Sequence, residues 1–170
     1  MTISSKLTRL ITAIERNENN AAMSLINELG VDFVAEGGTA LNYAALYDNL
    51  EVAKFCIDNK ANVNALYSST KVKSYTPLMA ACKNGNLEIV KLLLANNADI
   101  NLKDKTGFNA LEIACNNFKM PKIKDAKAII KILLDKGADP LEPYFDNLTY
   151  LEYNRKNDNA ELAEFIDSII

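Results

Sequence analysis

The sequence predicts an all-α fold, a solenoid of helix-turn-helix repeats with projecting turns and helical end caps. Three observations carry that expectation. Leu41, Leu78, Leu111 and Leu151 each stand two positions after a cap-type residue, and with Ile11 as a degenerate fifth they fall at intervals of 30, 37, 33 and 40 residues. A second apolar helix pattern follows each start. Val52, Ala53, Phe55, Cys56 and Ile57 in one unit correspond to Ile89, Val90, Leu92, Leu93 and Leu94 in the next, and to Ile129, Ile130, Ile132, Leu133 and Leu134 after that. The third observation is compositional, since 49% hydrophobic residues in a chain of 170 suffice for one continuous core. A repeated unit buries its apolar faces only against its neighbours, so such an array builds an extended surface rather than a pocket.

The elements follow in order along a single domain spanning 1–170. The N-terminal cap, 4–36, opens on Leu7, Leu10, Ile11 and Ile14, an i, i+3, i+4, i+7 stripe, with Lys6, Arg9 and Arg16 left for water. Met23, Leu25 and Ile26 lie on its partner helix. Three repeats come next, at 37–73, 74–106 and 107–146, the last carrying an insertion at 116–126. Thr39, Thr76 and Thr149 are placed to cap first helices through their hydroxyls, Asn109 replaces threonine in the third repeat, and Pro77 suits a first turn. Leu78, Ala80 and Ala81 face inward, and Gly85 permits the left-handed turn that ends a helix. Departures from a constant interval belong at turns, because extra residues inside a helix rotate its apolar face away from the neighbour. The long interval before Leu78 is therefore assigned to a Ser-rich projecting loop at 65–75, and the one before Leu151 to the insertion. In the C-terminal cap, 147–170, Leu162, Phe165, Ile166 and Ile169 form a stripe backed by Glu161, Glu164 and Asp167.

One unit is nearly complete. Thr76-Pro77-Leu78-Met79-Ala80-Ala81, then Asn84-Gly85-Asn86-Leu87-Glu88-Ile89-Val90-Lys91-Leu92-Leu93-Leu94 and Asn97-Ala98-Asp99-Ile100-Asn101, resembles the ankyrin-repeat family. That family's unit of about 33 residues carries a Thr-Pro-Leu-His-x-Ala signature. The resemblance covers essentially the whole chain, most clearly 74–140, then 38–64, and least clearly the two caps. It implies a module that binds another protein. At the signature histidine this sequence has Asn42, Met79, Glu112 and Glu152 instead. In the family that histidine ties successive turns together, so its replacement implies a less regular or less stable array.

Several function classes are disfavoured. A net charge of −3 argues against general affinity for nucleic acid or an anionic membrane, although positive charge gathers within 71–131 and leaves the flanks acidic. The first twenty positions are interrupted by Lys6, Arg9, Glu15 and Arg16, unlike a signal peptide, and no apolar run approaches a bilayer span. A soluble, cytoplasmic monomer is expected. Cys56, Cys82 and Cys115 sit among apolar residues without metal-ligand spacing and read as reduced core thiols. The chain has no histidine, no nucleophile elbow and no phosphate or dinucleotide loop, so no catalytic residue, metal or cofactor is assigned. Asp99 and Asp139 recur after second helices and read as turn caps. The 21 asparagines and 16 lysines against 3 arginines suit an AT-rich genome, which leaves secretion into a host cell as the alternative location and a host-directed effector or regulatory subunit as the alternative function.

Candidate binding residues follow from the resemblance, which implies a concave face made of projecting turns and the exposed sides of first helices. Before the interhelical turns these are Leu46 and Tyr47, Lys83 and Asn84, and Asn116 and Asn117. The projecting turns add Leu66, Tyr67, Lys71, Lys73, Tyr75, Lys103, Lys105, Phe108, Tyr144 and Phe145. Aromatic residues are the usual interface anchors, which puts Tyr47, Tyr67 and Tyr75 first. The lysines would suit an acidic segment on the protein partner. The insertion Phe118-Lys119-Met120-Pro121-Lys122-Ile123-Lys124 is a second candidate surface.

Overall fold

The computed structural model describes residues 2–34, 37–69, 72–116, 125–145, 148–156 and 160–170. Among the described residues the helices fall into consecutive pairs: α1 (Ile3–Glu15) with α2 (Asn19–Leu29), α3 (Ala40–Leu46) with α4 (Leu50–Asp58), α5 (Pro77–Asn84) with α6 (Leu87–Ala95), α7 (Ala110–Asn116) with α8 (Ala126–Asp135), and α9 (Tyr150–Lys156) with α10 (Ala160–Asp167). Within each pair the two helices pack together. Between pairs, α1, α3, α5 and α7 make one contacting row, and α2, α4, α6 and α8 make a second. Two rows of short helices in register are the solenoid that the spacing predicts.

The helices begin where side chains satisfy their first free N–H groups. The Thr39 hydroxyl accepts from the Asn42 N–H while the Asn42 amide oxygen accepts from the Thr39 N–H, closing a capping box. Thr76 and Met79 repeat the arrangement with the thioether sulfur as acceptor, 3.4 Å from the Thr76 nitrogen. Asn109 with Glu112 and Thr149 with Glu152 complete the series. The residues that replace the family's histidine thus all close a cap. Gly85 ends α5 at φ 74°, ψ 27°, a left-handed conformation that glycine adopts without steric cost.

The core runs unbroken from Leu10 and Ile14 through Leu41, Leu78, Ile89, Leu93, Leu111 and Leu133 to Leu162 and Ile166. Alanines at 44, 45, 80, 81 and 114 are buried on the first-helix row, where small side chains let the helices approach closely. Leu92, Leu94 and Phe165 are half-buried at its edge. Among the described residues no helix is long and apolar enough to cross a membrane.

Among the described residues, two short ribbons on the projecting turns depart from the helical pattern. β1 (Tyr67–Ser69) and β2 (Val72–Tyr75) pair antiparallel, with Tyr67 opposite Tyr75 and Ser69 opposite Val72. β3 (Pro143–Phe145) pairs with β4 (Leu148–Thr149) in the same way. The Ser-rich loop is therefore a ribbon at its base, because a long excursion whose ends lie side by side satisfies its backbone by pairing with itself. The insertion begins with Asn116 inside α7 and ends with Ala126 at the start of α8, while 117–124 lie outside the described residues.

Candidate protein-binding face

Short turns between repeats are held by a ladder of Asp and Asn side chains. Asn62, Asp99 and Asp139 each accept from the N–H two residues on, at 3.0, 2.8 and 2.8 Å. Asp32 and Asn64 reach one repeat further, accepting from the N–H groups of Asn62 and Asp99 at 2.8 and 2.9 Å. Asp99 and Asp139 therefore act as turn caps, as their recurrence suggests. Asn42 adds a second tie, its amide nitrogen donating to the Ala65 carbonyl at 3.0 Å and the Tyr75 carbonyl at 3.2 Å. The linkage between turns that the missing histidine would supply is present here through asparagine.

Tyr75 corrects one expectation. It is 8% exposed, its ring lies 4.9 Å beneath the Lys83 ammonium, and its backbone closes the β1–β2 ribbon. Burial and then the Asp104 charge push its hydroxyl pKa up. A ring turned into the stack covers the first-helix row from within, so it offers a partner little area. Tyr47 is half-buried and stacks on Tyr43, ring centroids 6.5 Å apart. Tyr43 escaped the sequence reading, although its position four residues before Tyr47 on one helix would have shown it.

Other candidates have structural duties. Asn84 donates to the Leu46 carbonyl at 2.6 Å, and Leu46 is half-buried against the core, so both join neighbouring units. Asn116 accepts from the Tyr150 hydroxyl at 2.8 Å, holding α9 to α7. Phe108 is half-buried on the core, not projecting. Lys103 is exposed but paired with Glu142 at 2.5 Å, which offsets its charge; Lys105 is exposed. Lys71 and Asn117 lie outside the described residues, as do the side chains of Tyr67, Lys73, Tyr144 and Phe145. The 118–124 candidate also lies outside them.

Leu66 does project, at 51% exposed, and it has company that the sequence reading missed. Val34 at 58%, Leu141 at 54% and the partly exposed Phe33 stand on the corresponding turns of the first and fourth units. Aligning the turns on Asp32, Asn62, Asp99 and Asp139 puts Val34 and Leu141 at one shared position, two residues on, where the middle turns have Asn64 and Asn101; Leu66 stands two residues further along its longer turn.

Buried charge collects beneath the third projecting turn. Glu112, 3% exposed, accepts from the Asn109 N–H at 2.7 Å, and the Asn109 amide donates to Glu142 at 3.0 Å. Burial raises the Glu112 carboxyl above its ordinary value; the Asn109 N–H and Lys103 act against that, while Glu142 and Asp104 add to it. Asp104 organises the turn with one oxygen, accepting from Thr106 and Phe108, and its second oxygen is buried without a partner. All three thiols are buried and free, with Cys56 pushed up to about 12 and Cys82 and Cys115 higher still by burial. Thiols held protonated in this way are poor nucleophiles.

Stacked helix pairs joined by a hydrogen-bonded ladder of projecting turns define a helical-repeat scaffold. Comparison with known proteins identifies the kind. The ankyrin-repeat profile in three copies matches residues 64–144, and a single-repeat profile matches 36–65. The chain belongs to the ankyrin-repeat family. It is 32% identical to an ankyrin repeat protein of fowlpox virus over 70% of this chain and 37% of that one. It is also 32% identical to dauer abnormal formation protein 25 of Caenorhabditis elegans, over 94% of this chain and 40% of the relative. For mouse protein phosphatase 1 regulatory subunit 27 the identity is again 32%, over 59% of this chain and 67% of the relative. Most of these relatives are far longer than the stretch they share with this chain. Ankyrin repeats in general mediate protein–protein interaction without catalysis.

Proposed function

We propose that the chain is a noncatalytic binding module that captures a segment of a protein partner on its projecting turns and the adjoining first-helix face. One observation carries the reading. The exposed large apolar residues among those described are Ile3 and Ile170 near the chain ends and Phe33, Val34, Leu66 and Leu141 on projecting turns. The turn residues are not needed by the stack, and apolar side chains recurring at one edge of an array fit a contact surface. The turns are held by their own hydrogen bonds, so little ordering entropy is lost on binding. Tyr47 and Lys83 extend the surface along the helices, and Lys83 with Lys105 suits a segment bearing carboxylates.

Site-specific photo-crosslinking tests it. A crosslinker at Leu66 or Tyr47 is expected to trap a partner that the same crosslinker at Lys91, exposed on α6, does not. Equal trapping from both faces would reject the surface. A second reading, regulation of a partner enzyme, is favoured by the alignment that spans two thirds of the mouse phosphatase regulatory subunit. Phosphatase 1 activity unchanged by added chain would remove that reading.

A further inference from the structure

The joint between the third and fourth projecting turns differs in kind from the two before it. Asp32 ties the first turn to the second through the Asn62 N–H, and Asn64 ties the second to the third through the Asp99 N–H. Among the described residues no such bond joins Asn101 to Asp139, the corresponding pair on the third and fourth turns. Glu142 makes the tie instead. One of its oxygens accepts from the Asn109 side-chain amide at 3.0 Å, and the other pairs with Lys103 at 2.5 Å. A ladder of side-chain to backbone bonds thus gives way to a charged clasp, one residue from the exposed Leu141.

The charges of the clasp do not balance. Glu112 is buried and holds the same Asn109 from its backbone side, accepting from the N–H at 2.7 Å. Asp104, Glu142 and Lys103 are the charged groups that act on Glu112 among the described residues, so three carboxylates share one exposed lysine. Tyr75, which feels Asp104, and Cys115, which feels Glu112, are both pushed upward and stay neutral. An orphan acceptor is the second sign. Asp104 is 6% exposed; one oxygen accepts from the Thr106 and Phe108 N–H groups, and the other is buried with no donor. The described residues offer no set of three ligands for a metal ion, which leaves the proton as the cation small enough to relieve the cluster.

We propose that proton uptake by this cluster, held on Glu112, works the joint between the third and fourth projecting turns. With the proton on, Glu112 does not repel Glu142, and Glu142 stays on Asn109 and draws the fourth turn in. With the proton off, like charges on either side of Asn109 loosen the clasp, and Leu141 moves away from the third turn. Burial, the largest cause, raises the Glu112 carboxyl, so the proton stays on to higher pH than on an ordinary glutamate. The joint stands by itself; its control over partner capture at Leu141 rests on the binding surface proposed above.

Pulsed electron resonance between two nitroxides tests the joint with no partner present. The labels go on Asn101→Cys and Leu141→Cys, exposed and matching positions on the two turns, and the native thiols are buried from the reagent. Distances are compared at about pH 4.5, where the raised Glu112 carboxyl holds its proton, and at about pH 8. The distribution should lengthen and broaden at the higher pH. Glu112→Gln keeps an acceptor for the Asn109 N–H and should give the short, narrow distribution at both. Labels on Leu66→Cys and Asn101→Cys, across the preceding joint, should show no change. Identical parent distributions at the two pH values, a change that persists in Glu112→Gln, or an equal change across the preceding joint would overturn the proposal. A crosslinking yield at Leu141 that ignores pH while the distance responds would overturn the control over partner capture alone.

Discussion

Asn42 shows how much one side chain does in a short repeat. Its oxygen closes the cap of α3 and its nitrogen reaches two carbonyls on the next projecting turn. Asn42→Ala would leave those carbonyls and the Thr39 N–H unsatisfied in a buried setting. A loss of about 2–3 kcal/mol is expected from urea unfolding; a loss within error of zero would mean that water replaces all of these bonds. Glu112 supplies a pH dependence of unusual sign. Its folded pKa lies above its ordinary 4.5, so the folded chain holds this proton more tightly than the unfolded chain. That contribution is complete below the unfolded value and is lost as pH rises through the folded one. Glu112→Gln cannot ionise and still offers an oxygen to the Asn109 N–H. Its stability relative to the parent should therefore be greatest near neutral pH and shrink as pH falls toward about 4. Urea midpoints measured across that range check it, and a gap independent of pH would contradict the assignment.

At the scale of elements, the C-terminal pair is held to the stack through Tyr150, whose hydroxyl donates to Asn116 on α7 and whose ring is buried. Tyr150→Phe keeps the ring and removes the bond, and should cost about 1 kcal/mol. The effect should be local. Amide exchange is expected to quicken in α9 and α10 while α3 to α6 keep their protection; uniform acceleration along the chain would mean that the ends and the middle unfold as one unit. The ribbons of the projecting turns were not legible in the repeat pattern, because backbone pairing depends on where the two ends of an excursion are held. The helices were legible, since Thr39, Thr76 and Thr149 mark starts and Gly85 marks an end through local hydrogen bonds and φ alone.

At the scale of the whole molecule, contacts run between neighbours along two helix rows, so stability should be near-additive in repeats and their interfaces. Leu93 is fully buried in the middle of the stack. Leu93→Ala should cost about 2–5 kcal/mol and divide the array, broadening the unfolding transition. Ile166→Ala, in the last helix, should instead fray the end and leave the main transition in place. Identical curves for the two variants would argue for a single all-or-none domain. The family, the helix pairs and the order of core positions were determined by sequence alone, because a spacing near 33 residues and inward-facing apolar residues depend only on local periodicity. Which surface residues remain for a partner was decided by tertiary structure. Tyr75 reads in sequence like an anchor and Val34 like an unremarkable turn residue; packing buries the first beneath Lys83 and leaves the second in water. Exposure is a property of what the neighbouring repeat covers, and no residue type or spacing within one repeat contains that information.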